Sequence, residues 1–139
     1  MWWTYALLSA VFAALTAILA KIGIKGVDSN VATAVRTSVV LVLAWGVVAI
    51  QGNLGAVATL SSRTVTFLVL SAVATGTSWL FYFKALQLGP ASLVSALDKS
   101  SLALTIILAA LFLGEALTVR TAIGCTLIVA GTAVIAWPS

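Results

Sequence analysis

Long runs of apolar residues make up most of the chain, and short polar segments separate them. A helix needs roughly 20 residues to cross about 30 Å of hydrocarbon. Five runs reach this length, at about residues 2–24, 31–50, 65–86, 91–113 and 119–137. Apolar β-strands are excluded because the runs are too long and do not alternate. The pattern predicts an all-α fold, an integral membrane bundle of five transmembrane helices in a single domain over residues 1–139.

The segments between the runs contain residues that end or begin helices. Residues 25–30 separate the first two runs, and the longest break covers residues 51–64. Gly89 follows the third run and Pro90 opens the fourth, an asymmetry expected where two helices abut. Gly114 closes the fourth run, and Thr118 is placed to cap the fifth. The short connections predict that the third, fourth and fifth helices are antiparallel neighbours.

The composition indicates that lipid surrounds most side chains. Apolar residues make up 63% of the chain and charged residues 7%, whereas soluble domains carry about 25% charged residues. The net charge of +4 comes from cations scattered between apolar runs, so no nucleic-acid partner is expected. Residues 1–5 lack the basic region of a signal peptide, so the first helix is expected to remain in the mature protein. Cys125 lies in an apolar run and is interpreted as a packing residue.

Ionisable residues inside the predicted spans are the main candidates for function, because charges in hydrocarbon are costly. Asp98 and Lys99 lie about 10 Å into the fourth helix. Arg36 lies near the start of the second helix, and Lys84 and Lys21 lie near the ends of the third and first. Because successive helices run in opposite directions, we expect all five at one level, in the outer third of the membrane.

This cluster has two interpretations. In the structural one, Asp98 pairs with Arg36 or Lys84 to lock the bundle, while Lys21 and Lys84 extend to the interface. In the functional one, the excess cations line a water-accessible cavity for an anionic or zwitterionic solute, and Asp98 holds a cation or exchanges a proton. One carboxylate cannot neutralise four cations, which favours the functional interpretation.

Two uncharged helix faces are further candidates, one for solute binding and one for packing between helices. Trp79 and Tyr82 lie on one face of the third helix and could form an aromatic wall for an organic solute, with a cation–π contact. Helix packing or an interfacial aromatic belt is the alternative. The fifth helix has a face suited to close packing of helices, within the bundle or between subunits, formed by Gly124, Leu127, Ile128 and Gly131.

The residue inventory argues against an enzyme. The chain has no histidine, so Ser–His pairs and imidazole metal sites are impossible. Three scattered acids and one thiol offer no metal cluster, and no P-loop is present. A Ser95–Lys99 pair remains conceivable as a nucleophile. No metal or cofactor is expected.

The distribution of cations leaves the membrane orientation open. Counting every Lys and Arg near a helix end gives five against two in favour of a cytoplasmic face opposite the N-terminus. Without the four candidate site cations, the ratio is one against two. Which side of the membrane the positive-inside rule assigns to the cytoplasm thus depends on whether the candidate site cations are counted. Insertion in both orientations is therefore possible.

The C-terminal half resembles the EamA domain, the five-helix repeat unit of the drug/metabolite transporter superfamily. The resemblance rests on ALQLGPA at 85–91, LGE at 113–115 and the two glycines of GCTLIVAG at 124–131. It extends to TAILAK at 16–21 and ATAVRT at 32–37. Most members of the superfamily carry two such units, and this chain resembles the short, single-unit branch.

The resemblance implies a secondary transporter whose two inverted units enclose a central cavity. A lone unit would obtain its inverted partner by forming an antiparallel homodimer with dual topology. The small multidrug resistance proteins, which are four-helix relatives, use a glycine face like that of the fifth helix to pack subunits. They also use a glutamate in helix 1 for export of cationic drugs, but residues 10–20 here contain no acid. That departure argues against antiport of cationic drugs.

A second departure concerns the fourth helix. The family often has proline two residues before the Asp-Lys pair, whereas this chain has Ala96. A kink or break in the fourth helix is therefore less expected here.

The sequence thus predicts a multi-pass protein of the cell membrane that transports a small metabolite, with an anionic or amphoteric solute favoured. Its expected partners are that solute, the lipid bilayer and a second copy of the chain. The main alternative is a membrane scaffold or partner subunit without transport activity, and a passive pore is a further alternative.

Overall fold

The computed structural model describes residues 1–137 and contains helices, turns and no strands over that range. Within these described residues, five helical segments are long and apolar enough to cross a membrane, as predicted. Helix α1 covers Trp2–Gly23, α2 Ser29–Ile50 and α3 Ser62–Leu88. The fourth span consists of α4 at Ala91–Asp98, α5 at Ser101–Leu108 and a π-helical turn at Ala109–Leu113, and the fifth is α6 at Val119–Ala136.

Polar side chains place the starts of two helices earlier than the apolar runs suggest. Asp28 caps α2, because its carboxylate accepts hydrogen bonds from the backbone N–H groups of Asn30 (2.9 Å) and Val31 (3.2 Å). Helix α3 follows a 3₁₀ turn at Leu54–Thr59 and begins at Ser62. The connectors at 25–30 and 51–64 are therefore shorter than predicted.

The fourth span is interrupted directly after Asp98, although the sequence offers no proline there. The backbone N–H groups of Lys99 and Ser100 bond to the carbonyls of Ala96 (3.1 Å) and Leu97 (3.0 Å), three residues back instead of four. Such tightened turns are 3₁₀-like, and within a helix they often mark a hinge. The expectation that a break is less favoured without a proline is therefore not met, because the helix is interrupted although Ala96 stands at that position.

The end of the fourth span and the start of α6 agree with prediction. Gly114 has a left-handed conformation (φ +69°), which favours glycine at a helix end. The Thr118 hydroxyl accepts a hydrogen bond from the backbone N–H of Thr121 (3.1 Å) and caps α6.

The chain divides into two compact units. The first is Leu19–Leu88, in which α2 packs along α3. The second combines Met1–Ile18 with the chain from Gly89 onward, and in it α6 packs against both α4 and α5. Because the connector 114–118 is short, α6 runs back along the fourth span, as predicted for these two helices.

Large apolar side chains cover the outside of the helices. Phe12, Leu43 and Phe112 are examples of residues that are mostly exposed. In water such a surface would cause association, whereas lipid solvates it at little cost. The chain is a multi-pass membrane protein.

Many hydroxyl side chains in the spans bond to the backbone of their own helix. The Thr16 hydroxyl donates to the Phe12 carbonyl (2.8 Å), and the Thr126 hydroxyl donates to the Ala122 carbonyl (3.0 Å). These bonds reach four residues back and satisfy the donor without any neighbouring helix.

Candidate functional site

Lys21 lies at the end of α1 and forms a hydrogen bond with the backbone at the end of α3. Its ammonium group donates a hydrogen bond to the carbonyl of Leu86, a residue with 0% exposure. The carbonyls of the last helical turn lack partners within the helix and carry partial negative charge, so a cation is favoured there. Lys21 therefore has a structural partner within the first unit.

Lys84 belongs to a second link at the same end of α3. Its ammonium group donates to Gln87 Oε1 (3.2 Å), and Gln87 Nε2 donates to the carbonyl of Val27 (3.0 Å) in the connector between α1 and α2. Sequence reasoning did not select Gln87. Its signals in the sequence were its place in the ALQLGPA motif and the three-residue spacing from Lys84, which places two side chains on one helical face.

Arg36 lies against the aromatic side chains of α3. Its guanidinium carbon is 4.3 Å from the centroid of the Trp79 ring and 5.5 Å from that of Phe83. These distances are within the range of cation–π interactions. Tyr82, the other predicted aromatic residue, makes an edge contact with Phe83 at 6.4 Å between centroids.

One nitrogen of the Arg36 guanidinium makes no hydrogen bond within the described fold. Nη1 is buried and has no hydrogen-bond partner among residues 1–137. Leaving a buried donor unbonded costs about 1–3 kcal/mol, and more when the group is charged. Aromatic rings therefore stabilise the charge of Arg36, but its Nη1 still lacks a hydrogen-bond acceptor.

Asp98 and Lys99 lie where the fourth span is interrupted. Lys99 Nζ is 3.8 Å from Asp98 Oδ2, and the two side chains are 62% and 42% exposed. Lys99 also borders an open groove of about 470 Å³ on the second unit, whose other lining residues are Ser101, Leu102, Thr105 and Ile128.

The five predicted charges thus have different local partners. Lys21, Arg36 and Lys84 belong to the first compact unit, and Asp98 and Lys99 belong to the second. The expected convergence of all five at one depth stays a prediction from the alternating directions of the helices.

Hydroxyl groups near the candidate residues are already bonded. The Thr105 hydroxyl donates to the Ser101 carbonyl (2.9 Å) on the face shared with Asp98. The Thr75 hydroxyl donates to the Ser71 carbonyl (2.9 Å) on the aromatic face of α3. The single O–H donor of each hydroxyl is used in these bonds, and only its acceptor lone pairs remain for another partner.

The two glycines of the predicted packing face of α6 have free space beside them. A Cβ atom added at Gly124 or Gly131 would meet nothing within 4 Å among residues 1–137. Leu127 and Ile128, between the glycines, are 67% and 40% exposed. The two glycines therefore provide room for a close approach that the described chain does not use.

Comparison with known proteins agrees with this architecture. Residues 1–137 match the EamA-like transporter family. A protein of Sinorhizobium sp., described as an uncharacterized transporter in the cobO 3′ region, is 45% identical over 135 residues. The alignment covers 97% of this chain and 96% of that relative, so the two have similar lengths. No solved structure matches the chain. With a family match over nearly its whole length, the chain belongs to the EamA-like transporter family.

Proposed function

We propose that the protein is a secondary transporter for a small anionic or amphoteric metabolite and that it works as an antiparallel homodimer. Membership of a transporter family supports the general activity. The proposal goes further by giving the solute a charge class and the protein an oligomeric state.

The observation that carries the charge class is the unsatisfied guanidinium of Arg36. A cation within a membrane span is costly unless a partner compensates it. Its aromatic neighbours provide part of this compensation, but they cannot accept a hydrogen bond as an oxyanion does. A solute with a negatively charged oxygen would supply the missing acceptor.

Asp98 supplies the second function in this proposal. Its carboxylate lies beside Lys99 at the interruption of the fourth span, and in this proposal it would carry a coupling proton. A proton gradient or the gradient of the solute itself would provide the energy. The chain contains no P-loop for direct use of ATP.

Uptake into proteoliposomes tests the transport function. Purified protein would be reconstituted and offered labelled amino acids, organic acids, sugar phosphates and amines, with empty liposomes as the control. We expect saturable uptake of at least one anionic or amphoteric solute. The absence of uptake for every class would support a scaffold, and single-channel conductance far above carrier rates would support a pore.

The predicted packing face of α6 supports the homodimer. Helices in lipid associate through small residues that let their backbones approach, and Gly124 and Gly131 have free space around them. The face of Gly124, Leu127, Ile128 and Gly131 is centred on the middle of α6. In an antiparallel pair about this centre, Gly124 of one copy faces Gly131 of the other.

Cysteine cross-linking distinguishes the two possible dimers. In a Cys125→Ala background, Thr121→Cys and Val134→Cys would place thiols near opposite ends of the same face. An antiparallel pair predicts cross-links when the two variants are expressed together and few when either is expressed alone. A parallel pair predicts the reverse, because each position then meets its own copy. No cross-link in any combination would remove this face from the interface.

A further inference from the structure

The cations inside the spans differ in what they bind. Lys21 donates to the Leu86 carbonyl, Lys84 donates to Gln87, and Lys99 pairs with Asp98. Arg36 is the cation with a buried nitrogen that lacks a hydrogen-bond partner among residues 1–137. This difference makes Arg36 the best candidate for direct contact with a solute.

The position of Arg36 suits recognition by the edge of its guanidinium. The Trp79 ring lies 4.3 Å from the guanidinium carbon, so the aromatic contact restrains the group, whose N–H donors lie in its own plane. A guanidinium edge presents two parallel donors, which match the two oxygens of a carboxylate. Lysine at this position would keep the charge and lose the paired donors.

Charge balance also favours a carboxylate over a phosphate ester. A carboxylate carries one negative charge, which a single guanidinium neutralises. A phosphate monoester carries about −1.5 to −2 at neutral pH, so part of its charge would remain uncompensated beside Arg36. In a low-dielectric span, that excess is costly.

Building on the proposed transport function, we propose that the solute carries a carboxylate, that Arg36 binds this group through two N–H donors, and that Trp79 is a positioning residue for the guanidinium. This assignment makes the contact between α2 and α3 the site of solute selection. It also separates Arg36 from Lys21 and Lys84, whose bonds stabilise the end of α3.

Four variants test the assignment in proteoliposomes. Arg36→Gln removes the charge and the paired donors, and we expect KM for a carboxylate solute to rise about tenfold or more. Arg36→Lys should recover only part of this loss, because it restores charge without the paired donors. Trp79→Leu should raise KM several-fold with little change in maximal rate, whereas Trp79→Phe should remain close to the unmodified protein.

A second arginine provides a matched control. Arg63 lies at the start of α3 with its guanidinium carbon 6.0 Å from the Phe67 ring centroid. Arg63→Gln and Phe67→Leu alter the same kind of pair elsewhere and should leave KM unchanged. An equal loss in both sets of variants would show a general effect of the arginine–aromatic pair and would overturn the assignment.

Solute analogues test the same idea without mutation, so they remain informative if Arg36→Gln does not fold. Each transported amino acid or organic acid would be compared with its amide and with a sugar phosphate as competitors in the unmodified protein. We expect the amides and phosphates to compete at least tenfold more weakly than the acids. If amides, phosphates or amines compete as well as carboxylates, the carboxylate site is wrong while transport stands. If no solute of any class moves, both proposals fall.

Discussion

Replacing Lys21 with methionine provides a direct test of its structural role. Methionine has a similar length and keeps the apolar stem, but it cannot donate to the Leu86 carbonyl. Leu86 is fully buried, so its surroundings offer little water to replace the lost donor. The change therefore leaves a helix-end carbonyl without this cation.

The size of the effect follows from the type of bond. Hydrogen bonds that involve a charged group contribute about 1.5–3 kcal/mol. A cation at a helix C-terminus contributes about 0.3–1 kcal/mol, and more when partly buried, but the two estimates describe the same contact and are not added. We expect the free energy of unfolding to fall by about 2 kcal/mol, which is roughly a 30-fold change in the unfolding equilibrium.

Unfolding in mixed micelles with increasing SDS would measure this loss. Lys25→Met is the control, because Lys25 is an exposed lysine in the connector that follows α1. We expect the control to change the free energy by less than about 0.5 kcal/mol. Unchanged stability for Lys21→Met, together with a large rise in KM for the solute, would refute the structural role and return Lys21 to the binding site.

Three other changes test local features of the fold and the site. Asp28→Ala removes the cap of α2 and should cost about 1 kcal/mol of unfolding free energy, measured in the same SDS titration, with Asp28→Ser recovering most of it. Gly114→Ala should cost about 1 kcal/mol because of the positive φ, whereas Gly55→Ala should not destabilise, since Gly55 has an ordinary φ and open space. Asp98→Asn removes the negative charge beside Lys99 at the interruption of the fourth span. If Asp98 exchanges the coupling proton, the same variant should abolish pH-driven uptake; full activity would exclude that role.

Features determined by short stretches of sequence were predictable. The five spans follow from the lengths of the apolar runs. The Thr118 cap and the Gly114 helix end follow from side chains that act on the nearest backbone groups. Helix α2 begins two residues before the apolar run, because the Asp28 cap allows the polar residues Ser29 and Asn30 to form its first turn.

Contacts between helices were harder to predict. The position of Arg36 over Trp79 depends on how α2 and α3 are rotated and shifted along each other, which periodicity does not specify. The bond from Lys21 to Leu86 ends on a backbone carbonyl, and every residue has one. Lys99 and Ser100 keep right-handed helical angles, which need neither glycine nor proline. The sequence therefore contains no signal for the interruption at this point.

The hydroxyl groups that bond to their own helix have a consequence for the lipid-facing surface. Because Thr16 and Thr126 each donate to a carbonyl one turn earlier, neither donor needs a fixed partner on another helix. A helix whose hydroxyl groups bond to its own backbone can rotate or slide against its neighbours without breaking hydrogen bonds from these groups. Helices that carry threonines bonded in this way can therefore remain compatible with lipid while they change position, which a carrier that alternates between two states requires.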